Sequence, residues 1–281
     1  MRTPEEILNL IIKIAREDDR IRAVTLGGSR ANRDCPADKY QDFDVAFYVD
    51  DVTPFWDNME WIAGTFGMPS LVHKPESMEL IPPDRDGNYF YLMIFPDGNR
   101  IDLNVTPEKY EDDGEPMLVL LDKDGTFPHV QVAEDHWWVR KPSPKVFADC
   151  CAEFHWCLNN VAKGLARDEL TYAMEMLNHY VRDMLILMLE WYVGVTHDFQ
   201  VSVGKHGKYF KKLLPKDFYE RLKATYPNAD PENVWKAVFE MLSLFGDAAR
   251  FIAGKMEFPY DEAEEKGITD YVELVKGGLT T

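Results

Sequence analysis

The sequence of 281 residues contains few cysteines, and their spacing excludes several kinds of site. There are four, at positions 35, 150, 151 and 157, and none forms a Cys-x-x-Cys pair. A zinc or redox motif of that kind is therefore absent. Three of the four lie within one predicted helix, where they would pack as small apolar side chains. We expect reduced thiols and a cytoplasmic protein.

Long hydrophobic runs are also lacking. The longest apolar stretch, around residues 184–189, is far shorter than the ~20 residues needed to cross a bilayer. The N-terminal residues are acidic and amphipathic, unlike the basic and then apolar start of a signal peptide. We therefore expect no contact with a membrane. With 46% hydrophobic residues, the chain can form one large domain or two smaller ones with buried cores.

Basic residues are in the minority, with 31 Lys and Arg against 49 Asp and Glu, so the formal net charge is −18. Nucleic acid requires a basic surface, and we expect no nucleic-acid partner. An acidic field attracts a cationic substrate, although acidity also serves solubility alone. Most of the excess precedes residue 141, where 14 basic residues face 28 acidic ones.

A glycine turn follows the first predicted strand, which covers residues 21–26. Gly27 and Gly28 allow a ligand to approach the backbone closely, with N–H groups available to an anion. Ser29 adds a hydroxyl beside them. An ordinary turn is the alternative interpretation when this stretch is taken alone.

Three aspartates on two predicted strands indicate a metal site. Asp42 and Asp44 are two residues apart in a strand, so their side chains share one face. Asp102 lies in an alternating strand, residues 100–105, and a hairpin would bring it beside them. A solvated strand edge is the alternative for each acid. Clustered carboxylates repel one another and suit Mg²⁺, so the turn and the acids together predict a metal–triphosphate site.

These motifs resemble the nucleotidyltransferase superfamily that includes polymerase-β-like enzymes. The local sequence is more similar still to the aminoglycoside 6-adenylyltransferases, which adenylylate streptomycin. The similar segments span most of the chain: Gly-Ser-Arg-Ala-Asn at 28–32, Gln-Asp-Phe-Asp-Val at 41–45, Arg-Ile-Asp-Leu at 100–103, and residues 147–154, 161–165 and 202–205.

The predicted fold is α+β and changes character near Arg140-Lys141-Pro142-Ser143-Pro144. Residues 1–140 would form the catalytic domain, a polymerase-β-like mixed sheet with helices. Residues 141–281 would form an α-helical bundle that binds substrate and nucleotide. The predicted helices cover residues 146–163, 168–193, 217–225 and 232–253, followed by an exposed acidic tail at 261–265.

The resemblance implies a Mg²⁺-dependent transfer of AMP from ATP to a hydroxyl of streptomycin, the 6-hydroxyl, with release of pyrophosphate and resistance to the drug. Asp42, Asp44 and Asp102 would hold one or two Mg²⁺ ions. Asp102 would also act as general base toward the attacking hydroxyl. ATP and a cationic aminoglycoside are the expected partners, and we expect a monomer.

Phosphate-binding residues are predicted in two loops. Gly28 and Ser29 would hold the terminal phosphates, and Arg30 would contact phosphate or, equally, tie its loop to the acidic cluster. Lys205 and the weaker candidate Lys208 lie in a second loop rich in glycine and lysine. That loop lacks Walker spacing. It predicts a phosphate clamp, with a turn that leads into a helix as the alternative.

Acceptor-binding residues are predicted on the helices, because a guanidinium-bearing acceptor favours carboxylates in bidentate pairs. The resemblance points to Glu153, and Trp156 and Glu169 are the other candidates. A solvated helix face is the alternative for the glutamates, and core packing is the alternative for Trp156.

Three other functions remain open. A polymerase or a tRNA-tailing enzyme would share the carboxylates, but the charge of −18 opposes a nucleic-acid substrate. A protein-modifying nucleotidyltransferase would need a protein acceptor and is often smaller. A non-catalytic binding module would tolerate loss of the carboxylates, yet all three are present.

Overall fold

The computed structural model describes residues 1–32, 35–82, 87–107, 117–127 and 135–278. By its contacts the chain divides into two compact units, Met1–His136 and Trp137–Thr281. Each unit has a hydrophobic core of its own. The predicted division, after residue 140, lies within the loop that follows the first unit.

A mixed sheet forms the first unit. Its six described strands are β1 (Ile21–Leu26), β2 (Phe43–Val49), β3 (Leu71–His73), β4 (Tyr89–Ile94), β5 (Arg100–Thr106) and β6 (Leu118–Asp122). They are ordered β3-β4-β5-β2-β1-β6. Strands β2 and β5 are parallel, and every other neighbouring pair is antiparallel. The predicted mixed sheet is thus confirmed, as is the hairpin of β4 and β5.

The two central strands have one face buried and one partly open. In β2 the side chains of Phe43, Val45 and Phe47 are buried, and in β5 alternate residues are buried in the same way. Because successive side chains of a strand point to opposite faces, the polar residues between them share the other face. The apolar residues therefore hold the sheet in register while the acids stay accessible.

The helices of the first unit are α1 (Pro4–Glu17), α2 (Gly28–Ala31) and α3 (Met59–Thr65). Helix α1 begins with a capping box, in which the side chain of Thr3 accepts from the N–H of Glu6 and the side chain of Glu6 accepts from the N–H of Thr3. Its apolar stripe, which includes Ile7 and Ile11, is fully buried in the core of the sheet. The sequence Thr3-Pro4-Glu5-Glu6 by itself predicts a helix start, with Thr3 as N-cap and Glu6 closing a capping box, and the structure confirms this prediction.

The second unit is helical over its described residues. Its helices are α4 (Pro144–Ala166), α5 (Leu170–Glu175), α6 (Arg182–Thr196), α7 (Phe210–Leu213), α8 (Lys216–Ala224), α9 (Pro231–Met256) and α10 (Glu262–Lys276). A wider π-helical segment, Met176–Val181, joins α5 to α6. The prediction of one uniform helix over residues 168–193 is therefore wrong in detail. The helical stretch begins at Leu170 because Asp168 takes a left-handed conformation, with φ of 58°.

Helix α10 was missed, because its start was interpreted as an exposed acidic tail; most of these acids are exposed as predicted, but they belong to a helix. Asp261 instead caps the helix, accepting from the N–H groups of Ala263 and Glu264. The carboxylate of Glu264 lies 2.9 Å from Nδ1 of the buried His155 on α4. The acids at this point are therefore the first turn of a packed helix, where the helix dipole favours negative charge.

The cysteines of α4 confirm their predicted role as packing groups. Cys150, Cys151 and Cys157 are free thiols with buried side chains. Burial raises the pKa of the Cys157 thiol to about 12, so the thiol remains protonated at neutral pH. No helix within the described parts of the chain is long and apolar enough to span a membrane.

Candidate active site

The pairing of β2 with β5 brings the three predicted carboxylates together. Asp44 and Asp102 are register partners in the parallel pair, and Asp42 directly precedes β2. One carboxylate oxygen from each of the three lies within 4.8 Å of the others. The predicted proximity of these acids, including the contribution of the β4–β5 hairpin, is thus confirmed.

Gly28 lies directly against the carboxylate of Asp44. The backbone of Gly28 has φ of 60°, and a Cβ atom built on it would fall 1.8 Å from Oδ2 of Asp44. The N–H of the preceding Gly27 donates to the backbone oxygen of Asp44 at 2.8 Å. A side chain at position 28 would therefore displace a carboxylate of the cluster, which explains the need for glycine there.

The carboxyl group of Asp44 is the most perturbed of the cluster. Burial, followed by the neighbouring charges of Asp42 and Asp102, raises its pKa from 3.8 to about 6. Both effects penalise the charged form. A bound cation would reverse the balance, because it compensates the repulsion among the three acids.

Arg100 forms ion pairs with two of the three acids. Its Nε donates to Oδ1 of Asp102 at 2.8 Å, and its Nη2 donates to Oδ2 of the same carboxylate. Its Nη1 lies 3.5 Å from Oδ2 of Asp42. Arg100 and Asp102 are two residues apart in β5, so their side chains share a face. Arg100 was not among the predicted site residues, although this spacing carried the signal.

The loop after β1 is tied to the start of β2 by Arg30. Its guanidinium donates to the backbone oxygens of Gln41 and Asp42 at 2.7 and 2.8 Å, and it stacks 3.8 Å from the ring centre of Phe43. These contacts agree with the second of the two predicted roles, that of holding the loop. The side chain of Gln41 in turn donates to the backbone oxygen of Ser29.

Asn104 is a second polar residue of the site that was not predicted. It follows Asp102 by two residues in β5, and its register partner in β2 is Ala46, two residues after Asp44. Its Oδ1 is buried and finds no hydrogen-bond partner among the described residues. The alternation Asp-Leu-Asn in β5 was the available signal, since it places both polar side chains on one face.

The donor atoms of the cluster fit a hard divalent cation. All three groups are carboxylates, without nitrogen or sulfur ligands, and this is the donor type that Mg²⁺ prefers. Mg²⁺ retains waters and commonly shares protein carboxylates with substrate phosphates. The arrangement can therefore hold a metal–phosphate complex.

The predicted loop of the second unit contains Lys205 and Lys208 on a tight turn. Gly204, His206 and Gly207 all take positive φ, between 54° and 71°. A Cβ atom at Gly204 would fall 2.6 Å from Cγ of Lys208, so the stem of that lysine covers the turn. The loop leads into α7, and both lysine side chains are exposed. Their role toward phosphate stays a prediction.

A cavity of about 1150 Å³ lies among α4, α6 and α10 of the second unit. Its lining is mainly apolar and includes the carboxylates Asp149, Glu153 and Glu264. The indole of Trp156 also borders it and is 72% exposed, so the alternative that Trp156 lies in the core is wrong. Two predicted acceptor residues, Glu153 and Trp156, thus border one cavity. Glu169 lies outside its lining, at the N-cap position of α5, where its side chain makes no capping hydrogen bond.

Glu153 differs from the other two acids of this cavity in its partners. Asp149 pairs with Lys145, and Glu264 with His155. Glu153 accepts only from the thiol of Cys157, at 3.2 Å, and has no basic partner among the residues that the structure describes. Its carboxylate is therefore available to a cationic ligand.

Comparison with known proteins gives consistent matches over both units. The chain matches the family described as streptomycin adenylyltransferase over residues 1–275. It is 36% identical to an aminoglycoside 6-adenylyltransferase of Bacillus subtilis (strain 168), over 97% of this chain and 98% of that protein. It is 35% identical to an aminoglycoside 6-adenylyltransferase of Campylobacter jejuni, over 97% of this chain and 95% of that protein. The crystal structure of an aminoglycoside 6-adenyltransferase from Bacillus subtilis shares 32% identity and a TM-score of 0.49, over 98% and 99% of the two chains.

Replacing Gly28 by Ala tests the contact with Asp44. We expect Gly28→Ala to weaken Mn²⁺ binding at least tenfold, because the new Cβ displaces the Asp44 carboxylate. Gly67→Ala is the matched control, since Gly67 also has positive φ but a Cβ atom added there would meet no other atom within 4 Å. In both variants the free energy of unfolding, measured with denaturant, should fall by roughly 1–2 kcal/mol, because alanine is strained at positive φ. Equal Mn²⁺ affinities in isothermal titration calorimetry would contradict the steric argument.

The raised pKa of Asp44 predicts a pH-dependent stability. The folded protein binds the Asp44 proton more tightly than the unfolded chain, so stability falls as the pH rises from about 4 through the folded pKa of about 6. Without metal, the free energy of unfolding of Asp44→Asn should therefore exceed that of wild type by about 1–2 kcal/mol at pH 8, after allowance for solvent screening. At pH 4 the two free energies should differ little.

Denaturant unfolding in EDTA between pH 4 and pH 8 measures this difference. Asp50→Asn is the control, because it removes an exposed carboxylate just beyond the end of β2. A stability gain of Asp44→Asn that is constant across this pH range would show that charge at Asp44 is not its cause.

Proposed function

The chain belongs to the streptomycin adenylyltransferase family, and we propose on this basis that it transfers AMP from ATP to the 6-hydroxyl of streptomycin, releasing pyrophosphate. It is an aminoglycoside nucleotidyltransferase. The carboxylate cluster of Asp42, Asp44 and Asp102 is the observation that carries the proposal, because it presents a cation site beside a glycine turn.

The three carboxylates would hold Mg²⁺, as one ion or two, which neutralises charge on the triphosphate when bound. In the reaction, the acceptor oxygen bonds to the α-phosphorus of ATP, and the bond from that phosphorus to the bridging oxygen breaks. Pyrophosphate leaves with that oxygen. The hydroxyl proton passes to the carboxylate of Asp102, because a neutral hydroxyl is a poor nucleophile near pH 7.

The remaining residues would bind the nucleotide. The N–H of Gly28 and the hydroxyl of Ser29 would hold the terminal phosphates. Lys205, with Lys208 as the second candidate, would neutralise charge on the departing pyrophosphate. For Arg30, its contacts with the start of β2 support a role in shaping the nucleotide loop.

Asp102→Asn tests both the reaction and the base. We expect streptomycin-dependent release of pyrophosphate from Mg–ATP, and a loss of about 10²–10⁴ in kcat for the variant, because an amide cannot accept the proton. Asp50→Asn, outside the cluster, should retain wild-type activity. Release is measured with a coupled pyrophosphate assay across a panel of aminoglycosides.

The possible outcomes separate the alternatives. Undiminished release by Asp102→Asn would remove Asp102 from its role as base while leaving the enzyme class intact. Release that requires RNA or a protein instead of any aminoglycoside would assign a different acceptor. Absence of release with every acceptor would favour a binding module.

The cavity of the second unit is the proposed site for the acceptor. A guanidinium-bearing sugar combines positive charge with apolar ring faces, and the cavity offers carboxylates on an apolar lining. Glu153 would pair with a guanidinium, and the exposed indole of Trp156 would stack against it. Glu169, outside this lining, would contact a more distant part of the acceptor.

Glu153→Gln should raise the KM for streptomycin about tenfold, the scale of one lost charge-assisted hydrogen bond, and leave the KM for ATP unchanged. The matched control is Glu220→Gln, an exposed glutamate on α8 that does not line the cavity. Steady-state kinetics with each substrate varied in turn gives both constants. A KM for streptomycin that stays at the wild-type value would remove Glu153 from the acceptor site.

A further inference from the structure

The guanidinium of Arg100 contacts the carboxylate oxygens that would coordinate a metal ion. Both oxygens of Asp102 accept from Arg100, and one oxygen of Asp42 is 3.5 Å from its Nη1. A carboxylate whose oxygens are engaged in a bidentate guanidinium pair has reduced capacity for a second cation. Metal and guanidinium therefore compete for Asp102, and in part for Asp42.

The position of Arg100 allows it to leave. It is the first residue of β5, directly after the turn at residues 96–99, and its side chain is 50% exposed. An ion pair at such exposure contributes little stability, so a divalent cation can displace it. By contrast, Asp102 is only 16% exposed and lies within the strand, so its carboxylate stays in place.

A nucleotide would offer the displaced guanidinium a new partner. Phosphate oxygens match the planar fork of arginine as well as a carboxylate does. If a nucleotide and the cluster bind the same metal ion, the phosphates of the nucleotide would lie next to this guanidinium. The same side chain would then pair with the carboxylates before the nucleotide binds and with its phosphate afterwards.

We propose that Arg100 occupies the cation site of the free enzyme and exchanges its carboxylate partners for nucleotide phosphate when the metal binds. The inference rests on the proposed function, since it requires a metal–nucleotide substrate. It makes the free enzyme a weak metal binder and couples the two ligands, so that nucleotide strengthens metal binding by more than shared coordination alone.

The test compares Mn²⁺ binding by Arg100→Gln and by wild type, with and without α,β-methylene ATP, using electron paramagnetic resonance of free Mn²⁺. Without nucleotide, Arg100→Gln should bind Mn²⁺ about fivefold more tightly, since its competitor is gone. With the analogue present, the affinity of Arg100→Gln for Mn²⁺ should fall below that of wild type. The enhancement of Mn²⁺ binding by nucleotide is therefore smaller in the variant.

Two further variants separate this exchange from a simple change in charge. Arg22→Gln removes an arginine that also forms a two-point pair with an aspartate, Asp124, in the same unit but outside the cluster. It should bind Mn²⁺ as wild type does. Arg100→Lys keeps the charge but loses the planar fork, and it should lie between wild type and Arg100→Gln.

The outcomes are distinct for the two proposals. Unchanged or weaker Mn²⁺ binding by Arg100→Gln in the absence of nucleotide, or equal nucleotide enhancement in both proteins, overturns the exchange while leaving adenylyl transfer intact. If Arg100→Lys binds Mn²⁺ as wild type does, the charge at position 100 acts only through its long-range field, and the exchange is also overturned. Failure of wild type to bind the analogue with Mn²⁺ overturns the exchange together with the proposed function.

Discussion

Repulsion among three carboxylates on one sheet face is the constraint on which this structure depends. Asp44 and Asp102 are fixed opposite each other by strand pairing, and the close approach of Gly28 limits where the Asp44 carboxylate can go. Burial raises the pKa of Asp44, and the crowding of the carboxylates raises it further. The buried apolar face of β2 and β5 offsets the repulsion, because burial of their alternating side chains stabilises the register that holds the acids together.

The sheet and the helices provide two different kinds of site. The first unit presents hard oxygen ligands and one arginine at the ends of β2 and β5, which suits a metal and phosphate. The second unit presents a large apolar cavity bordered by carboxylates, which suits a cationic organic molecule. Each site lies within a unit that has a core of its own, so each can be tested by substitutions that leave the other intact.

Local signals in the sequence predicted a large part of this arrangement. The capping box at Thr3, strand β1 and the alternating residues of β5 depend on short-range chemistry, and all three are confirmed. Elements that depend on distant partners were harder to predict. The start of α10 looked like a solvated acidic tail because its partner, His155, lies more than a hundred residues earlier. Trp156 was ambiguous, because a helix pattern alone does not tell which face neighbouring helices cover.

The residue types of the candidate site can be recognised without a fold: a glycine turn, two acids of strand spacing and a third acid in an alternating strand. Strand period and turn chemistry are local properties, so they can be read without a fold. The register that pairs Asp102 with Asp44, and the contacts of Arg100 with two of the acids, are known only from the folded chain. Those contacts follow from strand order and from the crowding of like charges, which become defined only when β2 and β5 pair.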